Sequence, residues 1–313
     1  MAGKIYRMLP IETARGCPYT CSYCNSPNQI TFYKKHTNSN FFRKKKMDLV
    51  YQELNYFKEK LKIEYNYFWA DTFLALNNKE FDEFCEMYAD IKLPFWVQTR
   101  PETLTDYKVR RLAEVGLHRI SFGLEHGDEN FRSKYLARNF KNEDTIEALK
   151  IPVNNGIPFS VNNITGFPYE TRDLAMATVE LNRQIDSSNQ NIYSFAPFHG
   201  TPLRQVCVDL GLIEPDAITK CLTDKSILKL PNYSEVEIEG LKKCFALYVK
   251  FPKNRWTDIR RAEENTSEGN KIFGELREEY LDKYLVINDE PTPHGDGVSS
   301  ADLEYGATSL PRQ

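Results

Sequence analysis

Of the seven cysteines in this 313-residue chain, three fall in one short stretch, Arg15-Gly16-Cys17-Pro18-Tyr19-Thr20-Cys21-Ser22-Tyr23-Cys24. The spacing is C-x3-C-x2-C. Three thiolates this close can hold three corners of a cubane iron–sulfur cluster and leave the fourth iron without a protein ligand. An iron left open in this way can take a small chelating molecule, and the amino and carboxylate groups of methionine form such a chelate. A structural zinc site is the alternative. It normally needs four ligands, yet the nearest histidine is His36 and no fourth cysteine follows at finger-like spacing. A thioredoxin-type redox pair does not match three cysteines on one loop. The other four, Cys85, Cys207, Cys221 and Cys244, are scattered and read as small buried hydrophobes. An odd count with one tight cluster does not fit a secreted disulfide framework.

The segments that must position this loop alternate between strand-like and helix-like patterns. Residues 8–13 (MLPIET) form a candidate strand that runs straight into the cysteines. Residues 47–61 place Val50, Leu54, Phe57 and Leu61 on one helical face. Further strands are expected at 65–70, Phe95–Thr99, 119–123, 158–164 and 191–196. Helices are expected at 79–89, 105–115, 142–155, 171–185 and 201–210, with stops at Gly116 and Gly156. Six strands, each followed by a helix, imply parallel pairing with right-handed crossovers. The count is too low for a closed eight-fold barrel. The expected fold is α/β, a partial (β/α)6 parallel barrel over residues 1–215, with a helical C-terminal extension over 216–287. Within that extension, 234–250 and most of 258–284 read as helix. Residues 288–313, rich in Pro, Gly, Ser and Asp, read as a disordered tail.

Composition sets bounds on partners. The chain is 41% hydrophobic and 27% charged, with a net charge of −3, which argues against a generally basic nucleic-acid surface. No apolar run is long enough to span a bilayer, and the polar start MAGKIYR does not resemble a signal peptide. The expected location is cytoplasmic.

The cysteine loop, with the aromatic Tyr23 before its third cysteine, resembles the signature of the radical S-adenosylmethionine superfamily. The resemblance runs over about residues 5–210. WADTF (Trp69 to Phe73) is similar to the motif after the family's second strand, with Ala70 in place of the first of two aspartates, so that Asp71 alone carries over. FGLEH (Phe122 to His126) is similar to the fourth-strand motif and implies Glu125 near the cofactor ribose. VNNITGFPYET (Val161 to Thr171) is similar to the fifth-strand motif and implies Gly166 and Pro168 beside the adenine. YSFAPFHGTPL (Tyr193 to Leu203) is similar to the sixth. The resemblance implies a 4Fe–4S cluster on Cys17, Cys21 and Cys24, and reductive cleavage of S-adenosylmethionine. Asp71 would pair with the cofactor ammonium and Arg138 with a carboxylate, since a planar fork suits one. Blander readings exist: Asp71 and Glu125 as helix caps, Gly166-Phe167-Pro168 as a turn, and Arg138 as a surface salt bridge.

RGCPYTC, QTRPE (Gln98 to Glu102) and PFHGTPL look most like the branch that binds cobalamin. That branch normally carries an N-terminal cobalamin domain, and about sixteen residues precede Cys17 here. The expectation is methyl transfer with cobalamin held on a missing domain or a partner. The alternatives are hydrogen abstraction without cobalamin, or a noncatalytic iron–sulfur or zinc protein. An electron donor such as flavodoxin or ferredoxin is expected, along with a small-molecule or peptide substrate that the sequence does not name. The aromatic runs 32–42 and 65–73 read as core, or as pocket lining. Arg43-Lys44-Lys45-Lys46 reads as a solvated run, or as a phosphate site. His126 and His199 sit near strand ends, either within reach of substrate or hydrogen-bonded for structure.

Overall fold

A computed structural model describes residues 5–284; the expected tail at 288–313 lies outside them. Among the described residues, eight strands occur in chain order: β1 (Met8–Ile11), β2 (Ala14–Arg15), β3 (Arg43–Lys44), β4 (Tyr65–Phe68), β5 (Phe95–Thr99), β6 (Leu117–Glu125), β7 (Phe159–Thr165) and β8 (Asn189–Ser194). Six of them form one sheet in the order β1-β4-β5-β6-β7-β8, and every pairing in it is parallel. Sheet neighbours follow chain order, as a stepwise partial barrel of strand–helix units requires. The remaining two, β2 and β3, pair antiparallel beside the cysteine loop.

The helices are α1 (Asn25–His36), α2 (Met47–Lys60), α3 (Asn78–Tyr88), α4 (Asp106–Glu114), α5 (Glu129–Leu136), α6 (Asn142–Asn154), α7 (Arg172–Asn182), α8 (Pro202–Asp209), α9 (Glu235–Lys250), α10 (Trp256–Ala262) and α11 (Ser267–Lys283). Local signals fix several of their ends. Asn77 and Glu80 close a capping box at the start of α3, and Ser234 and Glu237 do so at α9, each satisfying otherwise unpaired N–H groups. After α4 and α6 the chain reverses at Gly116 and Gly156, with φ of 110° and 66°. A side chain there would strain the backbone. Among the described residues no helix is long and apolar enough to cross a membrane.

Strand alternation sorts the residues of the sheet onto two faces. Phe68, Phe95, Val97, Ile120, Phe122, Phe159 and Val161 point to the helices and pack with Val50, Leu54, Phe81, Phe84, Val109 and Leu112 in the largest apolar cluster. The other face is polar. It carries Tyr67 donating to Gln98 (3.0 Å), Trp96 Nε1 donating to Ser121 (3.0 Å), Ser121 against Ser160 (2.7 Å) and Asn191 donating to Asn162 (3.0 Å). A second apolar cluster is centred on α9 and takes in α10 and α11.

Three expectations need correction. Leu61 lies just past the end of α2 and is 41% exposed, so it does not share the buried face of Val50 and Leu54. Cys221 is exposed rather than buried, whereas Cys85, Cys207 and Cys244 are buried as expected. The aromatic runs divide: Phe68 and Phe73 are core, while Phe32 and Trp69 are more than half exposed.

Candidate active site

The cysteine loop follows β1 at the C-terminal rim of the sheet and is tied down on both sides. Ser22 N–H donates to the Leu136 carbonyl at the end of α5, and Ser22 O accepts from Leu203 N–H at the start of α8 (3.2 and 3.1 Å). Cys17 and Cys21 are buried, and Cys24 is half-buried. Cys17 Sγ lies 3.3 Å from the Thr72 hydroxyl. Burial pushes the Cys17 thiol up against the opposing pull of Thr72, and pushes the Cys24 thiol up to about 12. Without a neighbouring cation, low-dielectric surroundings disfavour thiolate. A bound iron would reverse that preference, because a metal deprotonates its thiol ligands.

Arg100, one residue beyond β5, reaches the same loop. Its Nη1–H donates to Cys21 Sγ (3.4 Å), and its guanidinium lies 3.8 Å from the centre of the Tyr19 ring. Its other nitrogens hold Glu102 (2.6 Å). The motif QTRPE marked this region in sequence, but gave Arg100 no role. Ser26, at the start of α1, donates to Asp71 Oδ2 (2.5 Å). This links the helix after the cysteines to the loop after β4 and fixes the exposed Asp71 beside them.

Glu125 ends β6 with φ of 72°, next to a register shift against β7. This unfavourable backbone turns the carboxylate back over Gly123, where a Cβ would stand 2.3 Å from Glu125 Oε1. Only glycine leaves that space. Arg138 is no surface salt bridge, because it is 2% exposed. Its nitrogens donate to Glu125 (2.8 Å), the Gly123 carbonyl (2.9 Å) and the Tyr23 hydroxyl (3.4 Å), with Glu102 3.7 Å away. Burial opposes the Arg138 charge, but Tyr23, Glu125 and Glu102 together hold its pKa above the ordinary value. Burial also raises the Glu125 carboxyl, and Arg138 opposes that rise. Arg138 thus holds Glu125 directly.

Gly166 and Pro168 lie in the buried turn after β7. Glu170 closes that turn, accepting from the N–H groups of Gly166 (2.5 Å) and Phe167 (3.0 Å). His126 is fully buried: its Nδ1 accepts from Asp128 N–H (3.1 Å) and its Nε2 lies 3.2 Å from Glu170. It therefore lies between the turns after β6 and β7, in the structural role open to it. His199 is exposed. Among the described residues, no group of three or more His, Cys, Asp or Glu side chains, the three cysteines included, is drawn together around one metal-ion position.

The site therefore gathers three thiols, two ion-paired arginines and the carboxylates of Asp71, Glu102 and Glu125 at one rim of a parallel sheet, where such folds place their chemistry. Solved structures share this architecture. One is the radical S-adenosylmethionine methyltransferase TsrM from Kitasatospora setae, with cobalamin and a [4Fe–4S] cluster bound (TM-score 0.52, 19% identity, covering 64% of this chain and 36% of that one). Another is the cobalamin-dependent S-adenosylmethionine radical enzyme OxsB (TM-score 0.55, 15% identity, covering 96% and 49%). In sequence, the chain is 24% identical to an uncharacterized methyltransferase of Pyrococcus horikoshii over 80% of this chain and 53% of that one. It is 30% identical to an anaerobic magnesium-protoporphyrin IX monomethyl ester cyclase of Cereibacter sphaeroides over 61% and 31%. The chain thus spans about half the length of these curated relatives, or less. The family model of the radical SAM superfamily matches residues 11–181, more than half of the sequence, and the chain belongs to the radical S-adenosylmethionine superfamily of enzymes.

Proposed function

We propose that Cys17, Cys21 and Cys24 hold a 4Fe–4S cluster, and that this chain is the radical core of a methyltransferase that works with cobalamin held outside residues 5–284. The observation that carries the cluster assignment is the set of three thiols on one anchored loop, with an Arg100 N–H aimed at Cys21 Sγ. The donors fit the group: soft thiols, one short of the four a closed site would need. Bound there, the cluster supplies the electron that splits S-adenosylmethionine into methionine and a 5′-deoxyadenosyl radical.

The chain's own residues bind and orient. Asp71, held by Ser26, presents a carboxylate for the cofactor ammonium. Glu125, held by Arg138, accepts from a ribose hydroxyl. The turn of Gly166 and Pro168, braced by Glu170, receives the adenine and keeps water from that side. The polar sheet face from Tyr67 to Asn191 offers amide and hydroxyl groups to a substrate. The cobalamin part of the reading is supported by the names of TsrM and OxsB and by the motifs RGCPYTC, QTRPE and PFHGTPL, and the methyl-transfer part by the names of TsrM and the P. horikoshii relative.

The test is anaerobic reconstitution followed by iron and sulfide counts and an assay for 5′-deoxyadenosine, with and without added cobalamin. Four irons per chain and cofactor cleavage are expected, with methyl transfer appearing only when cobalamin or its carrier protein is supplied. A protein that takes up no cluster would refute the site. Substrate turnover without cobalamin would refute the methyl-transfer reading.

A further inference from the structure

Charge is distributed unevenly around the cysteine loop. Residues 13–47 contain seven of the chain's 41 Lys and Arg residues and none of its 44 carboxylates, in a protein of net charge −3. The seven are Arg15, Lys34, Lys35, Arg43, Lys44, Lys45 and Lys46, and the three cysteines lie among them. The fold brings the two ends of this segment together. In the β2–β3 ladder, Ala14 pairs with Lys44 and Arg15 with Arg43, and Lys45 N–H donates to the Thr13 carbonyl (2.8 Å). Gly16, at φ of 87°, lies against Phe41, whose ring would stand 2.9 Å from a Cβ there. The basic strand is therefore fastened directly to the residues that enter the loop.

Three of the cations have partners within the chain: Arg15 with Glu12, Lys44 with Glu80 and Lys45 with Glu53. The others, Lys34, Lys35, Arg43 and Lys46, are exposed and form no salt bridge with a described residue. Lys34 and Lys35 complement the C-terminal end of α1, but that accounts for neither Arg43 nor Lys46. Crowded like charges repel, and a surface patch of one sign raises the local concentration of oppositely charged partners.

We propose that this face, from the end of α1 to the β2–β3 ladder, is the docking surface of an acidic one-electron carrier protein of the flavodoxin or ferredoxin kind. The proposal rests on the cluster assignment above. In the transfer, one electron leaves the reduced carrier and arrives at the cluster, and no bond is made or broken. The patch begins two residues before Cys17, so a carrier seated on it lies against the loop that needs the electron. The patch is small and is bordered by Asp48, Glu53 and Glu80, which would repel a long polyanion running past it. A compact acidic rim fits inside that border. Transient redox complexes of this type have small interfaces, and electrostatics sets their encounter rate more than their affinity.

The test compares the reconstituted protein with its Lys34→Glu/Lys35→Glu/Lys46→Glu variant. Iron content and circular dichroism should match, since all three side chains are exposed. Stopped-flow reduction of the cluster by a reduced acidic flavodoxin should slow at least about tenfold in the variant and lose most of its salt dependence. Reduction by photoreduced deazaflavin, which needs no protein interface, should be unchanged. Equal flavodoxin rates in both proteins would overturn the proposal. So would binding of a single-stranded RNA oligonucleotide that is lost in the variant while the flavodoxin rate persists, since that would assign the face to nucleic acid. A wild-type protein with no iron would instead remove the cluster assignment, and the proposal with it.

Discussion

Arg138→Leu is the substitution whose cost the geometry constrains most closely. The guanidinium is 2% exposed and donates to Glu125, Gly123 and Tyr23. Leucine keeps much of the apolar volume and removes every donor. Breaking one side of a buried ion pair leaves an uncompensated charge and costs about 3–5 kcal/mol, whereas an exposed pair would cost about 1 kcal/mol or less. The loss should appear as a fall of about 1 M or more in the urea midpoint, followed by circular dichroism. It should also depend on pH. Burial already raises the Glu125 carboxyl, and Arg138 restrains that rise; in the variant the folded-state value climbs further above the unfolded one. An acid whose folded pKa is raised binds more protons in the folded state, so stability falls as pH rises through the window above the ordinary carboxylate range. The deficit relative to wild type should therefore be smallest at low pH and grow as Glu125 ionises. Glu125→Gln in the same chain should recover part of the loss, because it removes the stranded charge. A deficit under about 1 kcal/mol that does not change with pH would refute the buried-pair reasoning.

Other expectations are simpler to state. Alanine at Cys17, Cys21 or Cys24 should lower the iron count and abolish 5′-deoxyadenosine formation together; a triple variant that kept four irons would remove the loop from the site. Glu125→Ala should weaken S-adenosylmethionine binding by about 1–3 kcal/mol if it leaves a hydroxyl unpaired, with iron content intact, as calorimetry would read. Arg100→Gln should lower the cluster midpoint potential in an EPR-monitored titration, because hydrogen bonds to cluster sulfurs help set it; an unchanged potential would limit Arg100 to packing on Tyr19. Glu170→Ala should destabilise the fold by about 1–3 kcal/mol through the lost acceptor of the Gly166 and Phe167 N–H groups, measured by thermal unfolding.

The six parallel strands were legible because each joins β-rich residues to a following helix with a clear stop, as at Gly116 and Gly156. The cysteine loop was legible because its ligand spacing is covalent. Helix α1 was not delimited: within it only Ser26 is buried, so there is no apolar stripe to find. Short α5 was hidden between two motifs. The contacts that organise the site were also out of reach. Arg100 meets Cys21 across 79 positions, and Ser26 meets Asp71 across 45. Nothing local in QTRPE says which sulfur its arginine will face. Arg138 was assigned toward a ligand carboxylate on the shape of its fork, but the fold supplies that carboxylate itself in Glu125.

An open barrel keeps two unpaired sheet edges, and the one at β1 has a built-in defence. The carbonyls of Arg7 and Ile11 accept from Glu64 and Trp69 on the β4 side, so Pro10, of opposite parity, turns its backbone to the free edge. A proline there offers a carbonyl but no N–H. An incoming strand would meet an acceptor with no matching donor, and edge prolines discourage this kind of sheet extension. Pro10 thus leaves the β1–β4 ladder whole while discouraging a strand of another molecule from pairing on the open side of β1.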